Sequence, residues 1–366
     1  MRTVGVEEEL LLVDGRSGAA VPLGEQVVGQ ATTEHTGDQA EQPVEHEFKQ
    51  EQVEIASEPC EHLDQLRDQL TRQRAVARRS ARAHGADIAA IATSPGKLRP
   101  RSTRDERYLR MVAEFGLLAA EQLTCGQHIH VDTHSRAEGV AVLDRIRGWL
   151  PVLVALSANS PFWQEQDTGY ASFRTVLWGR WPAAGPTDPF GDEDGYDAAV
   201  QVLLDTGSAL DDGMIYFDAR LSAHYPTVEI RVADVCTDVR DAVLLAGLAR
   251  ALVETAAAEA RDGRPAPAVP TAQVRGASWR AARWGLTGDL VSPLSGHRAP
   301  AWTVIDQLLD RLTPALRAAG DLAVVESGLG RLRRDGTGAE RQRAAYAGSG
   351  ELDAVVADAV ERSHAY

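Results

Sequence analysis

Four short segments of this chain place acids, imidazoles or a guanidinium at every second position. Alternate residues of a strand point to opposite faces of a sheet. In residues 4–13, Gly5, Glu7 and Glu9 share one face, and Val4, Val6 and Leu10 share the other. In residues 50–56, Gln50, Gln52 and Glu54 oppose Val53 and Ile55. In residues 125–132, Gly126, His128, His130 and Asp132 oppose Ile129 and Val131. In residues 226–234, Thr227, Glu229 and Arg231 oppose Val228, Ile230 and Val232. An antiparallel sheet with one wet face alternates for that reason alone. A wet face, however, usually mixes both charge signs with Ser and Thr, and these positions are mostly Glu, His and Gln. Carboxylates gathered on one face repel one another unless cations neutralise them. An oxygen-rich set with an imidazole suits Mg²⁺ or Mn²⁺. Glu8 breaks the alternation and stands outside the set.

A second signal lies in residues 161–195, which are rich in Gly, Pro and Trp and read as a long functional loop. Aromatics, glycines and arginines without periodicity suit a segment that closes over an anionic substrate. Trp178 and Trp181 read equally well as a packing plug. Arg174 and Arg180 are harder to explain as packing, because a buried guanidinium needs a partner. They are candidates to clamp a carboxylate or phosphate by bidentate hydrogen bonds.

The remaining elements supply the frame. Residues 4–13 and 50–56 read as strands, and 24–46 as a polar loop or short helix. Leu63, Leu66 and Leu70 fall at helical spacing in a helix to about Ala83, closed by Gly85. Residues 86–93 form a short buried strand, 105–120 a helix, 125–132 a strand and 136–157 one apolar helix. Residues 213–220 and 226–234 pair as strands, and an Ala-rich helix covers about 238–260. The Pro-rich stretch 262–270 is a break. Residues 271–366 are mainly helical and belong with the rest in a single catalytic domain, 1–366.

Bulk properties exclude several classes. The 366 residues carry a formal net charge of −15, which argues against a nucleic-acid partner. No apolar run approaches the roughly 20 residues of a membrane helix. The first residues pass directly into strand-like sequence without a basic and apolar leader pattern. Cys60, Cys125 and Cys236 are widely spaced and odd in number, so neither a zinc motif nor a disulfide framework follows, and a reducing cytoplasm is the expected compartment. Lys49 and Lys97 are the only lysines. No P-loop motif is present, so ATP phosphates would have to be held by metal ions and arginines.

Five blocks in order, GVEEELLLVD, QVEIASEPC, TCGQHIHVD, NSPFWQEQDTGYASFRTVLWGRWP and TVEIRVADVC, resemble the carboxylate–amine ligase branch of the glutamate–cysteine ligase family, type 2. The resemblance covers roughly residues 4–300. It implies an α+β, glutamine synthetase-like fold: a curved antiparallel β-sheet, helices on its back face and the active site on its concave face. It implies a metal site of Glu7, Glu9, Glu47, Glu54, His128 and Glu229, with Glu47 supplied by the resemblance alone. It favours His128 as ligand over His130, which shares its face. It gives Arg231 a contact to phosphate or developing charge, and puts Tyr170 near the amine substrate. Gln52 and His130 complete the candidate substrate-binding set.

The expected reaction joins a carboxylate to an amine with ATP and Mg²⁺, through an acyl phosphate, with γ-glutamylcysteine as the family's product. Arg174 or Arg180 would assist Arg231. The alternatives are a guanidino phosphotransferase, a metal-dependent amidohydrolase, and a binding protein that keeps the fold without catalysis. Expected partners are small amino-acid, carboxylate and amine molecules. A homodimer is compatible with the sequence, which carries no signature of oligomeric state.

Overall fold

The computed structural model describes residues 1–34 and 44–365. The part of the expected loop or short helix that falls on 35–43 lies outside them. The chain runs β1 (Val4–Asp14), α1 (Gly24–Glu34), β2 (Glu45–His46), β3 (Gln52–Ala56), α2 (Leu63–Arg82), β4 (Ala86–Ala89), α3 (Glu106–Phe115) and α4 (Leu117–Glu121). It continues through β5 (Gly126–Asp132), α5 (Arg136–Ile146), α6 (Leu150–Ser157), β6 (Phe162–Trp163), β7 (Gln166–Asp167), α7 (Phe173–Trp178) and α8 (Glu193–Asp205). Next come β8 (Ala219–Leu221), β9 (Thr227–Asp234), α9 (Val239–Arg261), α10 (Thr271–Trp284), β10 (Asp289–Val291) and β11 (Arg298–Pro300). Four helices close it: α11 (Ala301–Ala319), α12 (Leu322–Asp335), α13 (Gly338–Ser349) and α14 (Leu352–Arg362).

The main sheet has the order β2-β3-β1-β5-β9-β8, with β4 also paired to β1. Every pairing in it is antiparallel. This is the expected α+β class, and it follows from β1. Its first half alternates, and its second half is the apolar run Leu10–Val13, buried throughout. A strand buried on both faces loses its alternation for that reason. The Asp14 carboxylate ends β1 by accepting from the backbone N–H of Arg16 and Ser17 at 3.1 and 2.8 Å.

Helices α2 and α9 cover the apolar face. Leu63, Leu66 and Leu70 of α2 join Val4, Val6, Ile129, Val131, Val228 and Ile230 in the core. Glu8 belongs to this face. It forms a fully buried pair with Arg74 of α2, 2.7 Å from Nη2, which explains the break in alternation. In the C-terminal part, α10 packs on α6 and α7, and α11 and α12 pack on α9.

Three local expectations are corrected. The helix expected over 136–157 is two helices, because Pro151 is tolerated only in the first turn and so starts a new one, α6. Residues 161–195 are not one irregular loop. They contain the β6–β7 hairpin, whose central residues Gln164 and Glu165 both take positive φ (52° and 63°), then α7 and the start of α8. The usual Asn-Gly signal for such a turn is missing there. Of residues 213–220, only the last two lie in a strand, β8; Asp212–Met214 form a 3₁₀ turn.

Candidate active site

The polar face of the sheet lines a cavity of about 670 Å³. Register decides which groups meet there. Glu7 pairs with His128 across β1 and β5, Glu9 with Glu54 across β1 and β3, and Glu54 with Glu45 across β3 and β2. His130 pairs with Glu229 across β5 and β9, and Glu229 with Arg220 across β9 and β8. Side chains opposite each other in an antiparallel pair stand within about 4.5–5.5 Å. Strands β1, β3, β5, β8 and β9 thus deliver polar residues to the cavity.

Glu7 sits between two imidazoles: its Oε2 is 3.1 Å from His128 Nδ1, and its Oε1 is 3.1 Å from His130 Nε2. The Glu9 carboxylate accepts from the Gly126 N–H. Glu229 lies between two guanidiniums, accepting from Arg220 Nε at 2.7 Å and from Arg231 Nη1. Three groups of ligand atoms lie within 4.8 Å of one another: Glu7, Glu54 and His128; Glu7, His130 and Glu229; and Glu9, Glu47 and Glu54.

The electrostatics divide the patch into two ends. Burial, reinforced by the charges of Glu7, Glu47 and Glu9, holds the Glu54 carboxyl well above the usual carboxylate range. Burial and Glu9 push Glu47 up to about 7. At the other end burial is outweighed by Arg231 and Arg220, and Glu229 falls to about 2. Burial also opposes the charge on Glu7, but its contacts with His128 and His130 carry it well below the usual range. His128 is lowered by burial and by Arg231, while the contact with Glu7 raises His130 against its burial. The Glu9–Glu47–Glu54 end is an acidic cluster whose charge Arg231 offsets only in part, and that is the donor set of a hard divalent cation. His128 Nε2 is buried without a hydrogen-bond partner, which leaves that nitrogen free to ligate.

The expected residues distribute as follows. Glu7, Glu9, Glu47, Glu54, His128, His130, Glu229, Arg231 and Gln52 all line the large cavity. Gln52 is buried, with its Oε1 unpartnered. Arg174 is buried beside the patch and does not line this cavity. Its guanidinium fills the space over Gly126, where a Cβ would overlap it, and Nη2 reaches the Arg231 carbonyl at 3.4 Å. Arg180 is exposed at the end of α7, paired with Glu121 at 3.0 Å, so the structure does not bring it to the site. Tyr170 also lies outside the large cavity; its hydroxyl accepts from Trp279 Nε1 at 3.2 Å.

Sequence reasoning missed Arg220, Lys49, Arg107 and Tyr216, all of which line the cavity. Arg220 was legible as the one polar residue between Ala219 and Leu221. Lys49 is buried, donates to Ser102 Oγ at 2.9 Å and is lowered by burial to about 8.

One buried network fixes Arg174 and the end of β9. Asp234 accepts from the Asn159 N–H at 2.8 Å, Ser160 Oγ at 2.7 Å and Ser172 Oγ at 2.8 Å. The same Ser160 Oγ accepts from the Arg174 N–H at 3.0 Å. The Asn-Ser-Pro and Ser-Phe-Arg motifs thus act by positioning.

The family model described as glutamate–cysteine ligase family 2 matches residues 3–358. The chain belongs to that family. A family relative from Paenarthrobacter aurescens, which carries the provisional name glutamate–cysteine ligase 2-1, is 49% identical over all of this chain and 96% of its own length. Among solved structures, a bifunctional glutathione synthetase from Pasteurella multocida superposes with a TM-score of 0.69 at 16% identity. That match covers all of this chain and 52% of the longer one, so the family 2 chain spans about half of it. A glutamate–cysteine ligase from Francisella tularensis in complex with AMP gives 0.68 at 13% identity, over all of this chain and 89% of that one. At these identities the likeness establishes the shared fold. Among the described residues no helix is long and apolar enough to cross a membrane.

Proposed function

We propose that this chain is an ATP- and Mg²⁺-dependent carboxylate–amine ligase that forms γ-glutamylcysteine through an acyl phosphate. The observation that carries the reading is the acidic cluster Glu9–Glu47–Glu54, with Arg231 and Arg220 in the same cavity on one sheet face. The Glu47 and Glu54 carboxyls, raised by burial and by their acidic neighbours, together with a free imidazole nitrogen, fit divalent cations. Glu7, Glu9, Glu47, Glu54, His128 and Glu229 would hold them. Bound there, Mg²⁺ neutralises phosphate charge. The names of the relative from Paenarthrobacter and of the Francisella enzyme support the same reaction class.

The chain's own residues do the rest. Phosphoryl transfer asks for positioning and charge stabilisation more than for a protein nucleophile. Arg231, fixed by Glu229, offers a guanidinium to the transferring phosphoryl group. Arg220 holds Glu229 from the other side. The substrate carboxylate attacks the γ-phosphorus and ADP leaves; the amine then attacks the acyl carbon and phosphate leaves. The three cysteines are buried and free, and none is needed in either step.

The test is ADP release with L-glutamate and L-cysteine, with mass detection of the product. The wild type should release ADP only with both substrates and Mg²⁺, and give the amide. Glu54→Gln should lower the rate by about 100-fold or more with folding intact. A phosphorylated amine as the product, or an unchanged Glu54→Gln rate, overturns the reading.

A further inference from the structure

A second cavity, of about 260 Å³, adjoins the first, and the two share Trp178, Tyr216 and Arg231 as their common wall. Its chemistry differs. The acids that line the large cavity are absent, and Val154, Val232, Phe217, Trp279 and Ala282 give it an apolar body. Its polar groups are Arg174, Arg231, Arg275, Asp218, Thr175 and Ser278. The guanidiniums of Arg174 and Arg231 are only 2% and 7% exposed. The Nε of each, and Ser278 Oγ, are buried without a hydrogen-bond partner. These atoms have no accessible surface and lie behind the wall; the guanidinium of the lining that solvent reaches is that of Arg275.

The lone carboxylate, Asp218, lines the second cavity only, and its backbone adjoins Arg231 of the shared wall. The Arg231 N–H donates to the Asp218 carbonyl at 3.0 Å, so the two residues are neighbours across the strand edge. Burial pushes the Asp218 carboxyl up to about 7 in spite of Arg174 and Arg275 nearby. Arg231 is already paired with Glu229; Arg174 and Arg275 against one carboxylate favour a ligand with an anionic end, and the apolar walls favour a small nonpolar body. The volume lies below the roughly 300–1,000 Å³ of pockets for drug-sized ligands. It suits one amino acid and excludes a nucleotide.

We propose that this second cavity holds the amine substrate: a small α-amino acid whose carboxylate meets Arg174 and Arg275 and whose amino group meets Asp218, beside Arg231. This rests on the ligase reading above and adds to it the place and class of the acceptor. The large cavity then keeps the nucleotide, the metal ions and the carboxylate to be activated. The two substrates approach Arg231 from opposite sides.

The test compares the wild type with Asp218→Asn and Arg275→Gln, using ATP, L-glutamate and L-cysteine. Both variants should raise the KM for L-cysteine about tenfold or more and leave the KM values for ATP and L-glutamate within about twofold. Asp218→Glu should recover part of the loss. Parallel rises in all three KM values, or an unchanged KM for L-cysteine, overturn the assignment. Calorimetric titration of L-cysteine into each protein, with a non-hydrolysable ATP analogue bound, reads the cavity without turnover. Binding by the wild type that is weakened in both variants supports the cavity even where no ADP is released, and the ligase reading alone then fails. No binding to the wild type, or equal binding to all three proteins, overturns the cavity assignment and leaves the ligase reading to its own assay.

Discussion

Glu47→Gln should stabilise the metal-free protein and weaken its response to Mg²⁺. A carboxyl that keeps its proton up to about 7 in place of 4.5 carries a charging cost of about 3 kcal/mol at higher pH, at 1.36 kcal/mol per pH unit. Water in the cavity screens part of this, which brings the expected gain to about 1–2 kcal/mol. The sign follows from proton binding. Between pH 4.5 and about 7 the folded state holds more protons at Glu47 than the unfolded chain does, so stability contributed by this group falls as pH rises through that window. The substituted amide has no such dependence and can still accept from the Phe48 N–H. The assay is thermal unfolding at pH 8, in EDTA and in Mg²⁺. In EDTA the variant should melt about 1–4 °C above the wild type. In Mg²⁺ the wild type should gain about 2–3 kcal/mol at saturating cation, and the variant clearly less. A variant that melts below the wild type in EDTA, with equal gains in Mg²⁺, would refute the view that these acids are gathered for a cation.

Three further outcomes are expected. Arg74→Ala should cost about 3–5 kcal/mol in denaturant unfolding, since it strands buried Glu8 and the carbonyls of Cys236 and Thr237 that Arg74 serves at 2.6 and 2.7 Å; a cost under about 1 kcal/mol contradicts the pairing. Arg180→Ala should leave kcat/KM within about twofold, because an exposed pair contributes little, and a large loss would return Arg180 to the site. Gly126→Ala should cost about 1–3 kcal/mol by overpacking against Arg174 and lower activity with it; a neutral result would mean that Arg174 is not held there.

The polar face that carries the candidate site was legible because sheets convert a spacing of two into a shared direction. Glu7, Glu9, Glu54, His128, His130, Glu229 and Arg231 all came from that rule, and the registers bring them together. Glu47 follows the short strand β2 and shows no period of its own, so only the family likeness pointed to it. The arginines were misjudged for a different reason. Arg174 and Arg180 look alike in sequence, but the first turn of α7 points Arg174 at the sheet, while Arg180 lies just past the end of α7 in solvent. Nothing local distinguishes them, since the difference is made by Ser160 and Asp234, which lie far apart in the chain. Glu8 shows the opposite case: its place on the wrong face was visible, and its partner Arg74 lay 66 residues away.

Gln342 of α13 donates to both the carbonyl and the side-chain oxygen of Asn159 at 2.8 Å, and Asn159 in turn anchors Asp234. The last third of the chain is thereby a clasp on the floor of the candidate site. A protease cut in the Pro-rich stretch 262–270 would sever the covalent thread and leave the clasp closed. The two fragments should remain together and active, and come apart only in denaturant. Deleting α13 and α14 should instead abolish activity, even though none of their residues reaches the cavity.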